Sequence, residues 1–147
     1  MDSSIVAAIP VSDKTLVVWF DNGVSRRYTA QELGLGEDQS LSEARIDDSA
    51  KCLVWNASTS VDIDTLLSTG SEANYVETEK RRLLKSLSEI RRESCFSQTR
   101  LGDAAGIRQS VISRIEGCEI SPQINTLLKL LAPLGKTLAI VDLKENE

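Results

Sequence analysis

The sequence predicts an α+β chain: a small antiparallel β-rich domain over residues 1–70, then an all-α domain over residues 71–147 that ends in a short strand. Three observations predict it. Before residue 70 the apolar residues come in strand-length runs broken by turn residues, whereas beyond residue 80 they recur every three or four positions, as on one face of a helix. Charge divides the chain at nearly the same place. Residues 1–76 hold 5 Lys+Arg against 12 Asp+Glu, residues 77–147 hold 12 against 10, and residues 80–119 hold 9 against 5. A length of 147 residues provides for two modest cores.

Residues 5–9 are apolar up to Pro10, and residues 15–20 (TLVVWF) run into Asp21-Asn22-Gly23. Asn-Gly between apolar runs is a strong hairpin signal, so residues 24–28 are expected to return antiparallel. Residues 29–33 read as one helical turn closed by Gly34 or Gly36, and further short strands are expected around residues 43–46 and 52–55. Residues 60–64 alternate polar and apolar, as a half-buried strand does. Residues 68–72 have linker composition, although Ser71, followed by Glu72 and Glu77, also suits a helix N-cap. The joint is therefore either a flexible segment to residue 79 or the start of a helix carrying Val76, Leu83, Leu87 and Ile90 on one face. Helices are expected over residues 80–93, 98–105, 109–116 and 122–134, with Ser97 and Ser121 as N-caps and Pro122 at the first helical position. Residues 137–143 (TLAIVDL) read as the closing strand.

Composition removes several function classes. The chain has no histidine, which takes away the commonest general base and zinc ligand and every Ser-His or Cys-His nucleophile, so an enzyme is not expected. Cys52, Cys95 and Cys118 are too far apart for a CxxC metal site and odd in number, and neither a metal site nor a cofactor is expected. Asp47, Asp48, Asp62 and Asp64 lack metal-loop spacing and suit turns and strand edges. Trp19 and Trp55 suit the core of a small sheet. The start, Met1-Asp2-Ser3-Ser4, lacks a secretory n-region, and no apolar run approaches a bilayer span, so a cytoplasmic location is expected. The net charge of −5 argues against a nucleic-acid binder, but the positive balance over residues 80–119 leaves one part of the chain able to meet phosphate.

Residues 97–116 (SQTRLGDAAGIRQSVISRIE) carry the functional signal. Leu101 and Ala105 share a helix face, Gly106 suits a left-handed helix end, and Ile107 suits the turn that follows. Ile112 and Ile115 face inward from the next helix, and Gly102 stands where two steeply crossing helices need a small side chain. Two helices joined by a short glycine-containing turn make a helix-turn-helix, whose second helix enters the major groove. Over residues 83–134 the chain resembles the helix-turn-helix family of phage repressors, Xre-like regulators and many antitoxins. The resemblance rests on Ser97-Gln98, on residues 107–110 (IRQS) and 112–116 (ISRIE), on Ser121-Pro122, and on residues 126–131 (TLLKLL).

The resemblance implies a role for each matched position. Gln98 corresponds to a glutamine that donates to a DNA phosphate. Gln109, Ser110, Ser113 and Arg114 occupy outward positions of the recognition helix, where Gln suits adenine N6/N7 and Arg suits guanine O6/N7. Arg108, just before that helix, suits a phosphate. The bland alternative for each is solvation, or for Arg114 a nearby carboxylate. Three departures stand out: Arg108 replaces the usual Ser or Thr N-cap, Cys118 replaces glycine with Gly117 available to turn the chain instead, and Glu119 replaces a basic residue. Relatives of this type repress transcription as homodimers on near-palindromic double-stranded DNA, and antitoxin members also bind a toxin. The closing strand and the N-terminal domain are both open as dimer surfaces. Residues 20–23 (FDNG), 45–47 (RID), 54–56 (VWN) and 61–66 (VDIDTL) resemble a small β-rich bacterial domain family with no established activity. The sequence therefore implies a repressor or antitoxin-type autoregulator whose N-terminal domain dimerises, senses a ligand or binds a partner. The rival is an interaction module whose helix-turn-helix does not bind DNA.

Overall fold

Strand β1 (Ile5–Pro10) pairs antiparallel with β2 (Thr15–Phe20), which pairs antiparallel with β3 (Ser25–Thr29). The Asn22-Gly23 hairpin joins the last two, closed by a 2.9 Å bond from Phe20 N–H to the Val24 carbonyl. In the computed structural model, which describes residues 2–143, this meander starts the first of two units, residues 2–74; the second is Tyr75–Val141.

Alternation along β2 sends Leu16, Val18 and Phe20 to one face, where they join Ile5, Tyr28, Leu33, Leu41, Leu53, Val61 and Leu66 in a single core. A second antiparallel sheet, β4 (Arg45–Ile46), β5 (Cys52–Asn56) and β6 (Thr59–Asp62), supplies Leu53 and Val61 to it. The carboxylates predicted for turns serve there. Asp47 accepts from the backbone N–H of Lys51 at 3.1 Å and of Cys52 at 3.0 Å, closing the β4–β5 turn.

One local expectation for this unit changes. The alternating run at residues 60–64 is a strand only as far as Asp62. That side chain accepts from Thr65 N–H at 2.8 Å and caps helix α1 (Ile63–Ser68), so one aspartate ends the strand and starts the helix. Residues 29–33 form the single turn expected, with Leu33 N–H bonded to the Thr29 carbonyl at 3.2 Å, Gly34 at φ +70° closing it, and reciprocal bonds between Thr29 and Glu32. The unit also runs past residue 70, because β7 (Ser71–Glu72) pairs with β3. The chain is drawn back to β3 by Arg26, which donates to the carbonyls of Thr69 (3.0 Å) and Gly70 (3.2 Å). Tyr28, fully buried, donates to the Leu66 carbonyl at 2.5 Å, and burial pushes its phenol up to about 12.

The second unit is built from α2 (Tyr75–Glu93), α3 (Gln98–Ala105), α4 (Gln109–Glu116) and α5 (Ile124–Leu131), the last continued by a 3₁₀ turn, Ala132–Leu134. Its core gathers Leu84, Leu87, Leu101, Ile112, Ile115, Leu127, Leu130 and Leu131. Helix α2 starts at Tyr75, since Ser71 is in a strand, and its buried stripe is Leu84, Leu87 and Arg91, with Val76 exposed. Helix α5 starts after Pro122, with Gln123 at the cap position and no side-chain cap bond, while Ser121 accepts from Lys80 Nζ at 3.2 Å.

The closing strand expected at residues 137–143 is absent: those residues carry no regular structure. A strand needs a hydrogen-bonding neighbour, and the second unit contains only helices. Leu138 packs on the core, whereas Ile140 and Val141 are exposed.

Candidate nucleic-acid interface

Helix α3 starts on Ser97, whose hydroxyl accepts from Arg100 N–H at 3.0 Å. It ends on Gly106, at φ +71°, after which Ile107 N–H reaches back to the Gly102 carbonyl at 2.9 Å. Between those points the chain passes so close to α3 that a Cβ on Gly102 would press into the Ile107 carbonyl and lie 3.3 Å from Ile112 Cδ1. Glycine at 102 therefore sets the approach of α4. Ile112 and Ile115, both fully buried, anchor α4 on its inner side.

A buried polar chain fixes α4 further. The side chains of Arg91 and Glu116 are only 9% and 7% exposed. Arg91 Nε donates to Glu116 Oε1 at 2.5 Å, Nη2 to Oε2 at 3.0 Å, and Nη1 to the Phe96 carbonyl at 2.7 Å. Gln98 Nε2 donates to Glu116 Oε2 at 2.9 Å, and Gln109 Nε2 donates to Gln98 Oε1 at 2.8 Å. Burial by itself would raise the Glu116 pKa, but the bonds from Arg91 and Gln98 outweigh it and hold the carboxyl below the ordinary glutamate value. Helices α2, α3 and α4 are thus tied through one ionised carboxylate, and Gln98 is set beside Gln109 at the start of α4.

Two short helices meeting over a glycine, with the outer face of the second left exposed, match a known arrangement. A family model described as helix-turn-helix matches residues 87–141. The second unit is a helix-turn-helix domain. An uncharacterized HTH-type transcriptional regulator of Haemophilus influenzae is 50% identical over 62 residues, covering 42% of this chain and 63% of that protein. The HTH-type transcriptional regulator PuuR of Escherichia coli is 46% identical over 55 residues, covering 37% of this chain and 30% of its own length. The chain thus spans less than two thirds of either relative. Among solved structures, a toxin–antitoxin module from Streptococcus pneumoniae aligns with a TM-score of 0.43 and 40% identity, covering 55% of this chain and 90% of that one.

Within the helix-turn-helix domain, Gln109, Ser110, Ser113 and Arg114 are all exposed on α4, and Arg108 is exposed just before it. Gln98 is half-buried, so the matched positions come together at one end of α3 and along α4. Arg108 occupies the α4 cap position without a side-chain cap bond, as its replacement of Ser or Thr implies. Arg114 has a partner: its Nε lies 3.5 Å from Glu119 Oε2. Cys118, at φ +58°, makes the left-handed turn that ends α4, while Gly117 stays at φ −78°; the expectation that Gly117 turns the chain is overturned. Positive charge is also partly spoken for on α2, where Glu77 pairs with Lys80 (2.9 Å) and Arg81 (3.2 Å), and Glu79 pairs with Arg82.

The Arg91–Glu116 pair was not singled out from the sequence. Its signal lies in the period: Arg91 stands four residues after Leu87 and seven after Leu84, on the apolar stripe where a charge needs a buried counterpart.

Proposed function

We propose that this protein is a cytoplasmic, sequence-specific DNA-binding repressor that acts as a homodimer on a near-palindromic operator and, as an antitoxin-type regulator does, on its own promoter. One observation carries the reading: α4 leaves Gln109, Ser110, Ser113 and Arg114 exposed while its other side is locked by Ile112, Ile115 and the Arg91–Glu116–Gln98 chain. A reading head needs that combination of exposed polar ends and a rigid base. Gln109 and Arg114 have the donor patterns for adenine and guanine edges, with Ser110 and Ser113 alongside. Gln98 uses one amide hydrogen on Glu116 and keeps a second for a phosphate. Arg108 adds a phosphate contact that contributes affinity rather than selectivity.

One recognition helix reads few bases, so a second copy is required. Residues 137–143, outside any strand and with Ile140 and Val141 exposed, have the composition to pair antiparallel with their own copy about a twofold axis. In this reading the acidic N-terminal unit senses a ligand or binds a protein partner.

The test is binding to a duplex carrying the gene's upstream region at about 50 and 200 mM salt, with Arg114→Ala alongside. The proposal expects selective binding that weakens with salt and with the substitution. The Arg114–Glu119 pair favours a second reading, an interaction module that leaves DNA alone. Failure to bind a random-sequence duplex pool even at low salt would decide for it.

A further inference from the structure

We propose that Glu119 is a positioning residue for Arg114, holding its guanidinium whenever no base claims it and so setting both the strength and the selectivity with which that arginine reads DNA. The inference rests on the DNA-binding reading above and adds a residue that the reading itself does not need.

The pairing is built by the end of α4. Cys118 N–H donates to the Ile115 carbonyl at 3.0 Å, and Glu119 N–H donates to the Arg114 carbonyl at 2.9 Å. This pair of hydrogen bonds, with a left-handed residue at 118, is the turn that brings the residue just past a helix back over the one a turn and a half earlier. Two apolar side chains usually meet across it. Here the two are Arg114 and Glu119, 3.5 Å apart, with side chains 59% and 64% exposed. The backbone fixes their proximity, yet both heads stay open to solvent and to an incoming duplex.

Such a pair changes recognition in two ways. The contact with Glu119 is through Nε, so where Arg114 meets guanine O6 and N7 with Nε and one Nη it must leave Glu119, and the correct site is bound less tightly than by an arginine that starts free. At any other base, an arginine without a carboxylate neighbour would be left in the groove with donors unmatched, which is where a wrong base incurs its penalty. Arg114 instead stays with Glu119, and the wrong base is penalised less. One carboxylate therefore lowers affinity for the preferred site and blunts discrimination at the base pair Arg114 reads.

The experiment uses the full chain. A preferred duplex is selected from a random pool, and the base pair that Arg114→Ala no longer distinguishes is changed in both half-sites. Kd values on preferred and changed duplexes are then measured for the wild type, Glu119→Gln, Arg114→Ala and the double variant, with thermal melts confirming that each is folded. Glu119→Gln is expected to bind the preferred duplex about two- to fivefold tighter per half-site, with a similar rise in preference at that base pair, and to have no such effect on the Arg114→Ala background. An equal gain on every duplex, persisting without Arg114, would make Glu119 a simple repeller of phosphate and overturn the inference. No change at all would overturn it too while leaving the regulator reading intact. If neither the wild type nor Glu119→Gln binds any DNA, both fall.

Discussion

At the scale of single residues, the second unit ends α2, α3, α4 and the 3₁₀ turn on left-handed residues, but only two of these four positions are glycine. Gly106 and Gly135 both sit at φ +71°, whereas Cys95 and Cys118 occupy the same region at +59° and +58°. A side chain with a Cβ is strained there by about 1–2 kcal/mol, partly offset by the greater chain entropy glycine loses on folding. Cys95→Gly and Cys118→Gly should each stabilise the domain by about 0.5–1 kcal/mol, read as a higher Tm in thermal denaturation. The reverse holds at Gly102, where alanine would drive its Cβ into the Ile107 carbonyl; a loss of about 1–3 kcal/mol is expected from urea titration. The glycine roles were legible in the sequence because glycine advertises an unusual backbone. The two cysteines were not, since nothing in a cysteine's chemistry signals a positive φ, and the choice between Gly117 and Cys118 as the turning residue went the wrong way for that reason.

At the scale of elements, the Arg91–Glu116 bridge couples α2 to α4 and orients Gln98. Glu116→Gln would leave a guanidinium that is only 9% exposed facing a neutral amide, and a destabilisation of about 3 kcal/mol is expected. The sign of the pH effect follows from the direction of the shift. A carboxyl held below its ordinary value contributes stability that is complete above the unfolded pKa and is lost as pH falls through the folded one. Acid titration followed by circular dichroism should show the wild type weakening below the ordinary glutamate value of 4.5, with Glu116→Gln lacking that component. Helix existence was readable throughout 80–131 because period and caps agreed. Three misreadings share one cause, that local pattern does not contain the partner. Residues 60–64 became partly helix because Asp62 caps; the stripe on α2 shifted toward Arg91 because Glu116 lies opposite; residues 137–143 have strand composition but no strand beside them.

At the scale of the whole molecule, the two units differ in charge balance, and the proposed function gives them different partners. In the proposed reading a duplex meets the unit with the positive balance, and its affinity should fall at least about tenfold between 50 and 200 mM salt, measured by fluorescence anisotropy. Ile140→Asp with Val141→Asp should shift the chain toward monomer in analytical ultracentrifugation without altering the helical circular dichroism signal, since both side chains are exposed within the unit. A dimer that survives both changes would direct attention to the N-terminal unit as the pairing surface. The charge split and the two helices meeting over a glycine were legible in the sequence; whether residues 137–143 form a strand was not, because a pairing strand and a solvated tail have the same residues until a neighbour is in place.

The cysteines that close α2 and α4 also bear on how the domain responds to random mutation. A cysteine codon (TGY) becomes a glycine codon (GGY) through a single base change, so both strained turns lie one nucleotide from relief. A library made by error-prone copying and screened for survival after heating would reach either change in its first round, ahead of stabilising replacements that need two or three bases altered in one codon. Repeated recovery of glycine at positions 95 and 118, from independent libraries, would trace that heat tolerance to the backbone of two helix ends.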